Sequence, residues 1–414
     1  MYSRFDKNAV IVQKYGGTSV GTPERIKAVA ARVARMHRQG YKNLAIVVSA
    51  MSGETNRLVS LVNESNPHAS MKAYDVAIAA GEQVTVGLLT AALEAEKIEA
   101  SPYLAYRLNI RTDDAHGRAR IQSIDTSLIE EDWRNNRVAV IAGFQGVNRH
   151  NDITTLGRGG SDTSAVAVAA ALKADFCEIN TDVDGVFTAD PRVVETASLI
   201  QEMDYEACLE LASMGSKVLH PRCVELAAKY KIPLIVRNTF KPDDADRTIV
   251  MDLKLDMIED TLVSGVTIDK DVASFMVAGA SMDAKFITLL FQHIADKKIN
   301  VDVIIHEKNQ AFDQKTLGFT VSESDAELTE NALVSLNKSH GSLQWQKTLG
   351  LSKVTAVGVG MRSNAGVAAT FFTALSSHNI EVKMISTSEI KISAVIDKAD
   401  GAAAVKALHK AFIS

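Results

Sequence analysis

Short apolar runs rich in β-branched residues alternate with helical patterns over the first 240 residues, and this alternation constrains the fold most. The runs with strand character are Val10–Val12, Leu44–Val48, Val138–Ala142, Phe176–Ile179 and Leu234–Val236. Buried runs of this kind, separated by helices, predict an α/β fold with a mostly parallel central sheet covered by helices on both faces. The first helix is expected to begin at Pro23, behind Thr22 as its N-cap. Its apolar residues then share one face: Ile26, Val29, Ala30 and Val33.

The chain after residue 264 repeats itself at an ungapped offset of 81 residues. The matching positions are Gly279 with Gly360, Phe291 with Phe372, Ile299 with Ile380, and Val301 with Val382. Each copy is interpreted as a small unit of a strand, a helix, two strands and a second helix. The second strand is expected to begin near Ile299 or Ile380. The third strand is expected at Leu317–Val321 or Ile392–Ile396.

Composition changes near residue 240. All seven prolines lie at or before Pro242, and a stretch dense in acidic residues follows from Lys241 to Asp260. That stretch reads as a connector, although Ile249–Met251 could be a short strand within it. We therefore expect a large domain over residues 1–240, a linker over 241–263 and the two small domains over 264–340 and 341–414.

Charge and cysteine content exclude several classes of protein. Lys and Arg number 45 against 50 Asp and Glu, a formal net charge of −5, so nothing draws the chain to nucleic acid or to an anionic membrane. The longest uninterrupted apolar run, Ala165–Leu172, is far short of the roughly 20 residues that span a membrane. Three cysteines without paired spacing predict neither disulfides nor a zinc site. A cytoplasmic protein is expected.

Ligands of an open parallel sheet bind beyond the carboxyl ends of its strands, so the residues after each apolar run carry the functional information. The first run is followed by Lys14-Tyr15-Gly16-Gly17-Thr18-Ser19. Paired glycines let backbone N–H groups approach a phosphate, and an ammonium group can neutralise it. The second run ends in the small, hydroxyl-rich segment Ser49–Thr55. Taken singly, both segments could also be plain structural turns.

The segment Gly157–Thr163 is the sharpest local signal. Three glycines surround Arg158, and a helix is expected from about Ala165. A forked guanidinium beside a helix N-terminus is suited to bind a carboxylate or a phosphate.

Two aspartates follow the fourth run, in Asn180–Gly185. Asp182 and Asp184 could be turn formers, or they could coordinate Mg²⁺, which usually takes one or two protein carboxylates together with substrate phosphates. Both interpretations remain open from the pattern alone. Glu82 and Lys217 are further charged candidates, and each alone would more often be a surface charge.

Taken together, the strand ends supply glycines, hydroxyls, cations and aspartate, with no histidine or cysteine in a nucleophile's position. This inventory suits phosphoryl transfer, in which the protein mainly positions and neutralises its substrates. Glu82 and Arg158 would then hold the ammonium and the carboxylate of an amino-acid acceptor.

Four motifs in this order resemble the aspartate kinase family of the amino acid kinase fold: KYGGTS at residues 14–19, GRGGSDT at 157–163, TDVDGVFTADPR at 181–192 and GSKVLHP at 215–221. The duplicated tail resembles the paired ferredoxin-like βαββαβ ACT domains of that family. The resemblance implies ATP-dependent phosphorylation of the aspartate side chain to 4-phospho-aspartate, the first step toward lysine, threonine and methionine. A glutamate-type or carbamate kinase should lack the duplication, and a catalytically dead sensor should have lost Lys14, Arg158 and Asp182.

Carried over residue by residue, the resemblance implies roles for the candidates. Lys14 would stabilise the transferring phosphoryl group. The residues implied to contact ATP are Lys14, Gly16, Gly17, Ser49, Ser161, Thr181, Asp182, Phe187, Arg192 and Lys217, with Mg²⁺ carried by ATP near Asp182. The residues implied to contact aspartate are Thr55, Glu82, Arg158, Gly159, Gly160, Ser161 and Asp162. Relatives often carry tyrosine at the position of Phe187.

The regulatory half departs further from the family pattern. Asp302 and the loop residues Asn364, Ala365 and Gly366 are the implied effector contacts, but relatives often have proline at the position of Ala365. Lys285 stands in the first copy where the second has Gly366. We therefore expect weak or altered feedback by lysine or threonine through the first copy. The family also implies a homodimer, or a dimer of dimers, formed through the ACT domains.

Overall fold

The computed structural model describes residues 6–214, 218–253, 263–278, 283–309, 314–341, 343–358 and 366–413. The chain divides into two compact units. The first comprises Met1–Val186, Leu199–Ser213 and Lys217–Asp256, and the second comprises Phe187–Ser198, Met214–Ser216 and Met257–Ser414. Each unit is described by itself below.

Two sheets form the first unit. Its strands are β1 Ile11–Tyr15, β2 Leu44–Val48, β3 Ala100–Tyr103, β4 Arg111–Thr112, β5 Ile121–Ser123, β6 Val138–Ala142, β7 Gln145–Val147, β8 Ile153–Thr155, β9 Phe176–Thr181, β10 Glu202–Met203, β11 Leu234–Asn238 and β12 Thr248–Val250. Eight of these described strands make the central sheet, in the order β10-β12-β11-β9-β1-β2-β6-β3. Every neighbouring pair is parallel except β11 with β12. The predicted mostly parallel sheet is confirmed.

Helices cover this sheet. They are α1 Pro23–Arg38, α2 Glu54–Ser65, α3 Met71–Ile78, α4 Ala80–Ala95, α5 Ser127–Arg134, α6 Gly160–Leu172, α7 Tyr205–Ser213 and α8 Pro221–Tyr230. Helix α1 begins as predicted, and the Thr22 side chain accepts a hydrogen bond from the Arg25 N–H. Its apolar face and that of α4 share one core with Ile11 and Tyr15 of β1. Val12 and Lys14 lie on the opposite face of β1, where α6 packs.

Helix α6 begins at Gly160, earlier than the expected start near Ala165. The expectation followed the onset of apolar residues, whereas the helix starts directly after Gly159, whose φ of +65° is a left-handed conformation. As a result Ser161 and Asp162 lie in the first turn of α6.

Helices α3 and α4 together form a stretch, Met71–Ala95, that is long and apolar enough to cross a membrane by length and composition. Half of its most apolar window is buried inside the fold, as in a core helix of a soluble protein. A search for uninterrupted apolar runs does not reveal the stretch, because Lys72, Asp75 and Glu82 interrupt it.

The second unit contains one six-stranded sheet among its described residues. Its elements are β13 Gly265–Ala278, α9 Ala284–Asp296, β14 Ile304–Asn309, β15 Gln314–Ser322, α10 Ala326–His340, β16 Gln344–Val357, α11 Val367–Ser376, β17 Met384–Thr387, β18 Lys391–Asp397 and α12 Gly401–Phe412. Each copy therefore has the predicted order of strand, helix, two strands and helix. The sheet order is β14-β15-β13-β16-β18-β17.

The second strand of each copy begins later than predicted. Ile299 and Ile380 instead lie just after the preceding helices, and their N–H groups bond to the carbonyls of Ile294 and Leu375 in the last turns. The residue before each has a left-handed φ, +63° at Lys298 and +56° at Asn379. An apolar residue after a left-handed cap is typical of a helix end.

The two copies exchange strand segments. Strands β13 and β16 are each 14 residues long and pair antiparallel from Gly265 opposite Val357 to Ala278 opposite Gln344. The second half of β13 also pairs with β15, and the second half of β16 pairs with β18. Each copy thus gains its fourth strand from the long strand of the other, which completes the ferredoxin-like pattern.

Candidate active site

A buried ion pair stands at the carboxyl end of β1. The Lys14 Nζ atom lies 2.7 Å from the Asp162 Oδ1 atom, and both side chains are largely buried. Asp162 is in the first turn of α6, where the helix dipole favours negative charge. A Cβ atom added at Gly16 would lie 3.2 Å from Lys14 Nζ, so the ammonium group sits directly beside the glycine loop.

The loops after β1 and β2 touch through backbone. Ser52 N donates to Gly17 O at 3.1 Å, and Ser49 N donates to Tyr15 O at 3.1 Å. A Cβ at Gly17 would lie 2.9 Å from Ala50 O, a distance that real Cβ atoms do not show. Glycine is therefore required at position 17 by this contact.

The loop after β6 meets the start of α6 equally closely. A Cβ at Gly143 would lie 2.9 Å from the Ser161 Cβ and 3.1 Å from Val48 O. Phe144 N donates to the Ser164 hydroxyl at 2.9 Å. Ser161 is thereby placed between the carboxyl ends of β2 and β6, close to the Lys14–Asp162 pair.

Arg158 is exposed between two glycines in left-handed conformations, Gly157 at φ +79° and Gly159 at φ +65°. A Cβ at Gly159 would lie 2.3 Å from the His220 ring, so the imidazole packs directly on this loop. Arg222 holds the same region by donating to Leu156 O at 2.9 Å. The loop that presents Arg158 is therefore fixed from both sides.

Glu82, in the first turn of α4, is a buried carboxyl with one unused oxygen. Its side chain is 3% exposed, and Oε1 accepts a hydrogen bond from Ala50 N at 3.0 Å. Oε2 has no hydrogen-bond partner in the described part of the chain. Burial raises the pKa of Glu82 to about 7. A cation placed against Oε2 would favour the ionised form. Thr55 is half-buried in the first turn of α2, directly after Glu54.

The two aspartates after β9 have different environments. Asp184 accepts hydrogen bonds from Asn238 Nδ2 at 3.0 Å and from Lys241 Nζ at 2.7 Å, so it is a charge-paired turn residue. Asp182 is exposed, and its Oδ1 accepts a hydrogen bond from Thr181 at 3.2 Å. Gly16 N donates to Asn180 O at 3.1 Å, which places this turn beside the glycine loop.

Two implied nucleotide contacts belong to the second unit. Phe187 is the first residue of the segment Phe187–Ser198 of that unit. In the same segment, Arg192 forms a bidentate pair with Asp190 at 3.0 and 2.8 Å. In the same segment Thr188 is hydrogen-bonded to His409 Nε2 at 2.9 Å, and Ala189 and Val194 join the core of the second copy. Lys217 lies outside the described residues.

Of the implied effector contacts, Asp302 forms an ion pair with Lys353, and Gly366 caps α11 with a left-handed φ of +113°. Asn364 and Ala365 lie outside the described residues.

Asn238, Lys241 and His220 were missed as candidates by sequence reasoning. Asn238 ends β11 as the other candidates end or follow their strands, so extending the strand-end rule to β11 would have found it. No comparable signal marks His220, whose contact with Gly159 is a matter of tertiary packing.

Among the described residues there is no group of three or more His, Cys, Asp or Glu side chains that could hold a metal ion. Asp182 offers an exposed carboxylate in the turn next to the glycine loop. This fits Mg²⁺ that arrives with a nucleotide and draws most of its ligands from phosphate and water.

Comparison with known proteins gives consistent matches. The family model for the amino acid kinase family matches residues 9–238, and an ACT domain model matches residues 354–412. An aspartate kinase of Pseudomonas putida is 44% identical over 405 residues, covering 98% of this chain and 97% of the relative. Aspartokinase 2 of Bacillus subtilis is 41% identical over 406 residues, covering 97% of each chain. The crystal structure of E. coli aspartokinase III with aspartate and ADP shares the fold, with a TM-score of 0.83 at 24% identity over 98% of this chain and all of that one.

Proposed function

Because the chain belongs to the aspartate kinase family, we propose that it transfers the γ-phosphate of ATP to the side-chain carboxylate of L-aspartate, giving 4-phospho-L-aspartate and ADP. This reaction would open the synthesis of lysine, threonine and methionine, and we expect it to occur in the cytoplasm. The observation that carries the proposal is the Lys14–Asp162 pair, buried beside Gly16 where the loops after β1, β2 and β6 meet the start of α6.

The chemistry needs charge neutralisation rather than a base. A carboxylate oxygen of aspartate attacks the γ-phosphorus, the new P–O bond forms as the bond to the β-phosphate oxygen breaks, and ADP leaves with that electron pair. Aspartate is already ionised at neutral pH, so no proton has to be removed from the nucleophile. An anion must nevertheless approach an anionic phosphoryl group, and this repulsion is the barrier that the site has to lower.

We infer that Lys14 lowers that barrier. Its ammonium group lies at the carboxyl end of β1, and Asp162 fixes its position from the first turn of α6. The N–H groups of Gly16 and Gly17 and the positive end of the α6 dipole would add to the field on the phosphoryl oxygens. Ser49 and Ser161 lie on the loops that close against this point. Mg²⁺, when bound with ATP, would neutralise charge on the phosphates, and Thr181 and Asp182 would hold the nucleotide and its metal beside Gly16.

Aspartate would be recognised at its α-carbon groups. Glu82 Oε2 supplies a buried, unpaired acceptor for the ammonium group, and Arg158 supplies a fork for the α-carboxylate. Gly159 and Gly160 keep the backbone of that loop clear of side chains, and Thr55 lines the same side at the start of α2.

Trapping of the acyl phosphate tests the proposal. The protein is incubated with MgATP, L-aspartate and hydroxylamine, and aspartyl hydroxamate is measured. Product with aspartate but not with glutamate is expected. Product with glutamate alone would overturn the assignment of aspartate as the substrate. No product with either acceptor would favour an amino-acid sensor.

The second unit is expected to regulate this activity as paired ACT domains, in a homodimer or a dimer of dimers. Feedback by lysine or threonine through the first copy is expected to be weak or altered, because Lys285 stands where the second copy has Gly366. Asp302, which is retained, forms an ion pair with Lys353. Inhibition by either amino acid that disappears in Asp302→Ala would contradict this expectation.

A further inference from the structure

The segment made of the last residue of β11 and the loop after it, residues 238–243, has no role in the function proposed so far. It is called the β11 loop here. Strands β11 and β9 are parallel neighbours, with Asn238 opposite Thr181, and Thr239 N donates to Thr181 O at 2.8 Å. The β11 loop therefore runs beside the turn that carries Asp182.

The side chain of Asn238 holds that turn. Its Nδ2 donates to Asp182 O at 3.2 Å and to Asp184 Oδ1 at 3.0 Å, and its Oδ1 accepts from Phe240 N at 2.9 Å. Both donor positions and the acceptor are thus in use. Only an amide offers this combination at this length, because aspartate has no donor and would stand as a second carboxylate against Asp184.

Lys241 binds the second carboxylate oxygen of Asp184. Its Nζ atom lies 2.7 Å from Asp184 Oδ2, the oxygen that Asn238 does not bond. The carboxylate of Asp184 is therefore bonded at both oxygens by two residues of the β11 loop. The carboxylate of Asp182 remains exposed, while its backbone carbonyl is fixed.

The β11 loop is itself anchored in the core of the first unit. Arg237 is 1% exposed, and its guanidinium donates to the carbonyls of Lys241, Pro242 and Asp243. The Asp243 side chain also pairs with Arg32 and with Arg35, each at 3.1 Å. Asn238 therefore belongs to a segment that these hydrogen bonds and ion pairs hold in place.

Resting on the proposed function, we propose that Asn238 is a positioning residue for the nucleotide. It holds the turn of residues 182–184 so that the Asp182 carboxylate stays at the carboxyl end of β9, beside Gly16, where the metal-bound phosphates of ATP would lie. Asn238 does not itself contact the nucleotide. Lys241 supports the same turn through Asp184. Binding of aspartate, through Glu82 and Arg158, does not depend on this turn.

Substitution of Asn238 by aspartate tests the inference, because it keeps the size and the acceptor for Phe240 N but removes both donors. Loss of two hydrogen bonds, one of them to a charged group, should raise KM for MgATP and Kd for MgADP about tenfold or more. KM for aspartate should stay at its wild-type value, whereas the midpoint of thermal unfolding should fall by a few degrees because two hydrogen bonds are lost. Asn66→Asp is the matched control, since Asn66 caps an exposed turn by accepting from His68 N at 2.9 Å.

A double substitution separates positioning from general damage. In Asn238→Asp combined with Asp184→Asn, the amide and the carboxylate exchange positions, so a hydrogen bond between residues 238 and 184 can form again. Part of the lost MgADP affinity should then return. Wild-type MgADP affinity in Asn238→Asp would overturn the inference, as would equal increases in KM for MgATP and for aspartate. Should the Asn238 variants not fold, Lys241→Gln carries the test: weaker MgADP binding with unchanged KM for aspartate supports the inference, and unchanged MgADP binding overturns it.

The calorimetric Kd for MgADP needs no acceptor. An absence of aspartyl hydroxamate from the wild-type protein would therefore refute the proposed function while this measurement still decides the role of Asn238.

Discussion

Glu82→Gln should make the protein more stable and a poorer aspartate binder at the same time. The pKa of Glu82 rises from 4.5 to about 7 on folding because the carboxyl is buried. Between these two values the unfolded chain has lost its proton while the folded protein still holds it. The free energy of unfolding therefore falls as the pH rises from 4.5 to 7, and the full penalty is present above pH 7.

The size of both effects follows from the same geometry. A rise of about 2.5 in the pKa corresponds to a loss of roughly 3 kcal/mol in the free energy of unfolding above pH 7. The neutral glutamine would not incur this loss. In a unit of this size such a change shifts the unfolding midpoint by about 5–10 °C. Removing one partner of a buried charge pair costs about 2–5 kcal/mol in binding, so KM for aspartate should rise at least about thirtyfold.

Calorimetric scans and aspartate titrations over about pH 5 to 8 measure the two effects. The stability gain of Glu82→Gln should shrink toward zero as the pH approaches 4.5. In the wild-type protein, KM for aspartate should rise as the pH falls below 7, because the ammonium group needs the ionised carboxylate. Glu94→Gln, an exposed glutamate on the same helix, is the control. A Glu82→Gln variant with wild-type KM, or with a lower midpoint at about pH 8, would refute the reasoning.

Three further predictions concern other parts of the chain. Lys14→Ala should lower kcat about a hundred- to a thousandfold while the exposed Lys27→Ala does not, and a near-normal kcat would remove Lys14 from the mechanism. Gly159→Ala should abolish hydroxamate formation because the new Cβ meets His220, whereas Gly40→Ala, at φ +100° with only ordinary contacts, should cost about 1–2 kcal/mol and stay active. Burial lowers the pKa of His409, so the stability it contributes is present above pH 6.5 and lost as the pH falls below it. His409→Asn should remove this pH dependence from the calorimetric transition of the second unit, and an unchanged dependence would contradict that assignment.

The central strands were predictable because they are buried on both faces. Leu44–Val48 and Val138–Ala142 have every residue buried, so each appears in the sequence as an unbroken apolar run. The small sheet of β4, β5, β7 and β8 was not predicted. Its strands are two or three residues long, and β5 has only partly buried or exposed residues, so neither length nor hydrophobic period marks them.

The exchange of strand segments in the second unit could not be predicted from the sequence either. The 81-residue repeat aligns the two copies, but pairing of Gly265–Asp269 with β16 joins residues separated by the whole first copy. No local pattern carries that information, because both long strands look like ordinary half-buried strands. Their length of 14 residues is the one sign that each strand serves both copies.

Candidate site residues were found where one rule sufficed, namely that polar residues follow buried parallel strands. This rule located Lys14 and Asp182 without any knowledge of their contacts. Arg158 was found by its flanking glycines instead, since it follows β8, which pairs antiparallel with β7 in the small sheet. The rule could not assign Asp184, because the choice between metal ligand and turn acceptor depends on Lys241, which lies 57 positions away in the chain. Roles that rest on a single tertiary partner are therefore the part that sequence reasoning misses.

Three carboxylates near the strand ends of the first unit differ in how their negative charge is compensated. Asp162 is paired with Lys14, and Asp184 is held by Asn238 and Lys241, so neither needs a ligand to offset its charge. Glu82 accepts a backbone N–H at Oε1, has no partner at Oε2 among the described residues, and is as deeply buried as the core around it. An unpaired buried carboxyl destabilises a fold, and it is relieved when a cation binds. The ammonium group of an amino acid is therefore expected at Glu82 and not at the other two.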